Sequence, residues 1–246
     1  MHSPALPPRP LDLRSLYRLG GISALLCVVL TAGQTLVFVA WRPPGFLPSA
    51  GNVLDWFARF EANTPLALLD LDLLMVPLYV LLLFGFLAMG GALRGSHQVL
   101  GLLGTVVAGV GIIVYLTTNP ALAMLSLSEA YRTASTEAER ASLVSAGQAT
   151  LASFQGTSGA VSYILMGVAG LIVSANMLRQ RVFSRVTGYL GLLQGALMLV
   201  PSTFGVVGLV LSLVSLVPFA AWFFLVGRRL LELAGSSPTE RDDELS

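Results

Sequence analysis

Two aspartates set two residues apart inside an apolar run are the groups best suited to chemistry in this chain. They stand in Leu68-Leu69-Asp70-Leu71-Asp72-Leu73-Leu74. A carboxylate at the centre of a membrane helix costs about 2.5–3.5 kcal/mol on insertion scales, so such groups usually face other helices or water. In that setting Asp70 and Asp72 are candidates for binding a cation, a proton or a substrate. The alternative is structural: capping a helix, or pairing with Arg42, Arg59, Arg132 or Arg140. Depth separates the two. If the span begins near Leu66, Asp70 lies roughly 6 Å and Asp72 roughly 9 Å inside it, at 1.5 Å per residue. If it begins near Leu73, both sit at the interface. On one continuous helix they point about 200° apart and cannot act as a side-by-side pair. Asp70 is expected to pair with an arginine, and Asp72 to point into the bundle.

Little else is equipped for chemistry. His2 and His97 are the only histidines, Cys27 is the only cysteine, and all 14 basic residues are Arg. Without Lys there is no Schiff base and no phosphate-loop lysine. A single Cys forbids an intramolecular disulfide, and no His/Cys zinc set of three or four ligands exists. His97, in Arg94-Gly95-Ser96-His97-Gln98, adjoins Ser96 in sequence, which is not nucleophile–base geometry, and reads as a solvated turn residue. No catalytic residue, metal or cofactor is expected, and the chain reads as a non-enzyme. Gln34, Tyr79, Tyr115, Tyr163, Asn176 and Gln194 add isolated polar groups. Singly they read as interhelical hydrogen bonds or interface anchors; converging, they would line a polar cavity.

These residues must be held by membrane helices. Of 246 residues, 55% are hydrophobic and 11% charged, with a mean hydropathy of +0.79. Soluble domains carry about 25% charged residues, so this chain cannot cover a globule with a polar surface. A span needs about 20 apolar residues. Six stretches qualify: Gly20 to Trp41, Leu66 to Leu93, Val99 to Thr118, Thr157 to Leu178, Val186 to Phe204 and Gly205 to Gly227. The fifth is the weakest, since Pro201-Ser202-Thr203 shortens its helix, and a re-entrant hairpin competes there. Residues 1–19 read as a cytoplasmic segment before an uncleaved first span, because Trp41-Arg42-Pro43-Pro44 offers no small-residue cleavage site. The spans fill residues 20–233, and 234–246 read as a disordered tail.

Two connections hold structure. In Arg42 to Pro65, Asn52 with Asp55 resembles a capping box, ahead of a short helix carrying Val53, Trp56, Phe57 and Phe60. In the region of about 119–156, Ser126 with Glu129 and Thr136 with Glu139 predict helices over Leu127 to Ala134 and Glu137 to Phe154. The second carries an apolar stripe of Leu143, Gly147, Leu151 and Phe154. This region is expected to form a helical extracytoplasmic cap. Arginines sort by side: Arg9, Arg14, Arg18, Arg94, Arg179, Arg181, Arg185, Arg228, Arg229 and Arg241 against Arg42, Arg59, Arg132 and Arg140. The excess places both termini in the cytoplasm. Gly191 and Gly195, four apart on the fifth stretch, are helix-packing residues, within the monomer or as a homodimer seam. Pro77 and Pro218 are expected to kink their helices.

The run Asn119-Pro120-Ala121, Met124, Leu127-Ser128, Tyr131 and Thr136-Glu137-Ala138-Glu139-Arg140, with Ala146-Gly147, resembles a bacterial family. So do Gly156-Thr157, Ser162-Tyr163, Gly167, Gly170-Leu171-Ile172, Met177-Leu178 and Val182-Phe183-Ser184-Arg185. The family is one of six-span integral membrane proteins described as domain of unknown function 4386. The resemblance covers about Tyr17 to Leu233 and implies a fold and a plasma-membrane setting; it implies no reaction.

The expectation is thus an all-α, polytopic membrane bundle of six transmembrane helices with a helical extracytoplasmic cap. Its leading reading is an interaction, sensory or accessory component in the plasma membrane. Its partners are the lipid bilayer and either a second copy or another membrane protein. A net charge of +1 gives no electrostatic case for nucleic acid. The alternative is a small-solute or cation-coupled transporter using Asp70 and Asp72.

Overall fold

The computed structural model describes residues 13–40, 52–94 and 98–236, and every regular element in them is an α-helix. In order these are α1 (Leu13–Ala40), α2 (Val53–Ala62), α3 (Thr64–Asp70), α4 (Met75–Ala92), α5 (Gln98–Thr118), α6 (Ala121–Thr133), α7 (Glu137–Gln155), α8 (Thr157–Gln180), α9 (Arg185–Leu197) and α10 (Gly205–Gly235). His97, the Trp41-Arg42-Pro43-Pro44 segment, most of the N-terminal segment and the tail from residue 237 lie outside the described residues. The first helix starts earlier than the apolar pattern indicates, at Leu13, and the last runs on to Gly235.

Among the described residues, five stretches are long and apolar enough to cross a membrane: Leu13–Phe38, Met75–Ala92, Gln98–Thr133, Glu137–Gln180 and Gly205–Gly235. They supply α1, α4, α5, α8 and α10 to one bundle. The expected sixth, from Val186 to Phe204, falls short. Its helix α9 has 13 residues, about 20 Å at 1.5 Å per residue, against a hydrocarbon core of about 30 Å. A turn from Met198 to Phe204 follows, and Pro201 in it cannot donate to a helical ladder.

Close backbone approach holds the bundle together. A Cβ on Gly21 would stand 3.0 Å from the Gly227 carbonyl oxygen, so α1 and α10 nearly touch there. Gly191 lies so near Ser174 and Trp222 that a Cβ would collide with both, and one on Gly195 would reach 2.8 Å from the Gly167 oxygen. The small-residue face of α9 is therefore taken up by α8 and α10 of the same chain. Phe86, Met89, Trp222, Val226 and Leu230 fill the centre. The bundle's outer surface is apolar as well, with Val99, Val206 and Val217 about three-quarters exposed, as a surface facing lipid requires.

A layer of short helices, α2, α3, α6 and α7, packs across one end of the bundle around Trp56, Phe60, Met124 and Leu151. Two of its helices begin as the capping patterns predict. The Asn52 side chain caps α2 with Asp55 reciprocating, and Thr136 caps α7 with Glu139 reciprocating. The α7 stripe also holds: Gly147 and Leu151 are buried, the former against Val53. The Ser126 box does not form. Helix α6 begins at Ala121, right after Pro120, with the Asn119 side chain accepting from the Ala121 N–H. Ser126 is thus inside the helix, where its hydroxyl donates to the Leu122 carbonyl. Pro77 lies in the first turn of α4, where proline replaces an N–H that has no helical acceptor anyway. Among the described residues, Pro218 of α10 is the proline that lies beyond a first helical turn, in a helix interior.

The opposite end is drawn together by Tyr17 donating to the Gly91 carbonyl (3.1 Å), Arg14 to Ser236 (3.2 Å), Gln180 to Leu93 (3.2 Å) and Arg229 to Val182 (2.9 Å). Arg14, Arg18, Arg94, Arg179, Arg181, Arg185, Arg228 and Arg229 belong to this end, whereas Arg59, Arg132 and Arg140 belong to the short-helix layer.

Candidate ligand-binding cavity

The apolar run from Leu66 to Leu93 is not one helix. Helix α3 closes at Asp70 and α4 opens at Met75. Between them Asp72 adopts φ 62°, the left-handed region. Its N–H donates to the Leu69 carbonyl (3.2 Å), and the Leu73 N–H donates to Leu68 (3.1 Å). That is the Schellman closure, which glycine usually occupies because a Cβ is disfavoured there. The 200° separation expected on a continuous helix therefore does not apply. The end of α3 and the turn after it aim the two acids at different partners.

Asp70 forms an ion pair with Arg59 of α2, and the Arg59 guanidinium lies 5.4 Å from the centre of the Trp56 ring. Both features place it at the junction of the layer and the bundle. The Asp72 carboxylate accepts from the Gln34 amide nitrogen of α1 at 3.0 Å, and the Asp72 carbonyl accepts from Asn119 at 3.3 Å. The Gln34 nitrogen also donates to the Leu69 carbonyl at 3.1 Å. Both partners of that nitrogen are acceptors, so the amide has only one sensible orientation. Its oxygen, Oε1, is left buried with no hydrogen-bond partner.

Beneath this junction the bundle encloses a cavity of about 490 Å³, walled by α1, α4, α8 and α10 and closed by the ends of α5, α7 and α9. Asp70, Asp72, Gln34, Tyr79, Tyr115 and Tyr163 all border it, as does Gln194 from α9. The isolated polar residues of the sequence thus converge, with one exception. Asn176 lies at the arginine end, where it accepts from Gln180 at 2.9 Å. Tyr79 and Tyr115 stack at 3.8 Å between ring centres, and Phe154 meets Tyr115 edge-on at 6.0 Å.

Polar groups that the sequence reading missed come from α10. Tyr163 donates to Ser212 at 2.8 Å, and Ser215, buried, donates to the Ser212 carbonyl at 2.7 Å. Two serines three residues apart on one face of an apolar span were the signal available. Deeper in, the walls turn apolar at Leu82, Phe86, Met166 and Phe223. Two polar atoms there, Gln194 Oε1 and Trp222 Nε1, are buried without a hydrogen-bond partner.

Chemically, the site offers carboxylate, amide and hydroxyl groups at the layer end and a mainly apolar interior beyond. Among the described residues, no group of three His, Cys, Asp or Glu side chains is placed to hold a metal ion. Comparison with family models, curated proteins and solved structures yields no match to this chain.

Proposed function

We propose that this chain is a non-enzymatic plasma-membrane protein that binds a small molecule inside its helix bundle and serves as a sensory or accessory component. The observation that carries this reading is the 490 Å³ cavity, within the range of about 300–1,000 Å³ common for small-molecule sites. Its polar groups gather at one end, which is how pockets fix a ligand's orientation. In this reading the short-helix layer is the extracytoplasmic cap and the arginine-rich end faces the cytoplasm. Helix α9, about two-thirds of the core depth, and the Pro201 turn complete a sixth passage, in keeping with the six-span resemblance.

A second reading, a small-solute or cation-coupled transporter, is favoured by one observation: Asp72 borders the cavity at a break between two helices. Broken helices and intramembrane acids mark ion and substrate pathways. Asp70, paired with Arg59, fits a structural part in that scheme.

Native mass spectrometry of the gently purified protein tests the main reading. Retention of one small molecule per chain, lost when Ser215→Phe fills the cavity, is the expected result. An empty wild-type protein, however mild the extraction, would remove it. Uptake into proteoliposomes that is abolished by Asp72→Asn would move the reading to transport. For topology, cysteine labelling in a Cys27→Ser background should reach position 140 from outside only.

A further inference from the structure

We infer that the cavity takes a single-chain amphiphile, held head-first at Gln34 and Asp72 with its chain running toward Phe86 and Trp222. The inference rests on the ligand-binding reading above and specifies the ligand's chemistry.

Three observations carry it. The first is polarity. On the α4 side the wall changes from Asp72, in the turn before the helix, through Tyr79 to Leu82 and Phe86. On the α10 side Thr203, before the helix, and Ser212 and Ser215, with Val206 and Leu209 between them, give way to Phe219 and Trp222. A compact polar solute would leave the apolar half unfilled, and a purely apolar one would leave Gln34 Oε1 buried without a partner. A molecule with one polar end pairs Gln34 Oε1 and fills the space between Leu82, Phe86, Met166 and Phe223.

The second is length. Lining residues run from Met75 to Phe86 on α4 and from Gly205 to Phe223 on α10. At 1.5 Å per residue these walls extend about 16 Å and about 27 Å. The site is thus a slot, long enough for an extended alkyl chain.

The third is access. Val206 and Leu213 border the cavity and are also 75% and 40% exposed on the outside of the bundle. The wall there is one side chain thick, so the slot adjoins the surface that faces lipid. At the arginine end α1 and α10 meet backbone to backbone at Gly21 and Gly227, and the slot ends before that contact. A chain entering sideways from lipid reaches the slot without crossing water.

The head must donate hydrogen bonds. Gln34 Oε1 is a buried acceptor with no partner, and a carboxylate such as Asp72 has acceptor sites only. A hydroxyl or amine head supplies the donor that Gln34 Oε1 lacks; a carboxylate or ester head does not.

Trp222, bordering the deep end, is the reporter. The full-length protein in lipid nanodiscs is titrated with 12-bromododecan-1-ol, whose chain-end bromine quenches tryptophan on contact. Trp222→Phe supplies the background from Trp41 and Trp56. Methyl 12-bromododecanoate and 12-bromododecanoic acid provide the same chain without a donating head, and 2-bromoethanol provides the head without the chain. Expected are saturable quenching that requires Trp222 and is displaced by plain dodecan-1-ol, with affinity for the alcohol at least tenfold above the ester and the acid. Gln34→Leu should narrow that preference several-fold while leaving chain-dependent quenching in place. Ser215→Phe should abolish the saturable component, and Ser212→Leu does the same duty should the first variant misfold. Equal affinity for alcohol, ester and acid overturns the donor-head assignment. Quenching by 2-bromoethanol alone overturns the amphiphile while leaving the binding site standing. No saturable quenching by any probe, together with an empty protein by mass spectrometry, removes the site itself.

Discussion

The Gln34 side chain joins the Asp72 carboxylate to the Leu69 carbonyl through one amide nitrogen, at 3.0 Å and 3.1 Å. One residue of α1 thereby holds the turn between α3 and α4 from both sides. This clamp keeps an acid in a left-handed backbone conformation that non-glycine residues rarely adopt. It also shapes the polar end of the cavity, so strain and site share the same few atoms.

Substitution at Asp72 should separate backbone from side-chain effects. Asp72→Ala should lower stability by about 1–2 kcal/mol, because alanine lacks the polar side chain that lets aspartate tolerate the left-handed conformation and the Gln34 acceptor is gone. Asp72→Asn should cost less, since asparagine tolerates that conformation and its oxygen still accepts from Gln34. Asp72→Gly should be more stable than Asp72→Ala. Thermal unfolding in detergent checks the order; an alanine variant matching the glycine variant would show that the backbone conformation carries no cost.

The Arg59–Asp70 pair should behave as a coupled unit. Asp70→Asn and Arg59→Gln are each expected to lower stability, and the double variant should cost less than their sum by about 0.5–3 kcal/mol. Exchange of the charges, Arg59→Asp with Asp70→Arg, should recover part of the loss. Strict additivity in the cycle would show that the pair contributes nothing to holding α2 against α3.

On α9, Gly191→Ala should destabilise by about 1–3 kcal/mol, since the new methyl meets Ser174 and stands 2.6 Å from the Trp222 indole nitrogen. Gly195→Ala should do the same against the Gly167 backbone. Gly109→Ala on α5 meets nothing within 4 Å and should be neutral or stabilising by about 0.5–1 kcal/mol through helix propensity. Unfolding midpoints of the three variants decide this. Destabilisation by Gly109→Ala comparable to the other two would point to a seam between copies on α5.

The start of α7 should loosen in acid. Glu139, at the capping box and outside the apolar stretch of α8, accepts from the Ser135 and Thr136 N–H groups, and these bonds hold its pKa below the ordinary 4.5. A carboxyl lowered on folding contributes stability that is complete above the ordinary value and is lost as pH falls through the folded one. Hydrogen exchange at the first turn of α7 should therefore quicken below about pH 4.5 in the wild type and lose that pH step in Glu139→Gln. Thr136→Ala should cost about 1 kcal/mol locally at neutral pH. An unchanged acid response in Glu139→Gln would reassign it to another group.

Local patterns in the sequence were enough for most of the helices, though not for the separate α3 or the start of α6, and for two of the caps and the apolar stripe of α7. Each depends on interactions within a few residues: Asn52 with Asp55, Thr136 with Glu139, and Gly147 with Leu151 one turn apart. The sorting of arginines to two ends was legible for the same kind of reason, because alternating spans place successive connections on alternate sides. Composition by itself required a surface that faces lipid.

Tertiary structure decided the rest. No glycine or proline marks the break between Asp70 and Met75. Partners distant in the chain hold it instead: Arg59, Gln34 and Asn119 satisfy groups that a continuous helix would bond internally or leave exposed. The shortfall of α9 follows from the Pro201 turn, but its burial needed the matching surfaces of Ser174, Gly167 and Trp222. Convergence of Gln34, Tyr79, Tyr115, Tyr163 and Gln194 on one cavity could not be read from spacing, because these residues lie on five different helices. Periodicity fixes which face of a helix a residue shares with its neighbours in sequence; only packing fixes which faces meet across the bundle.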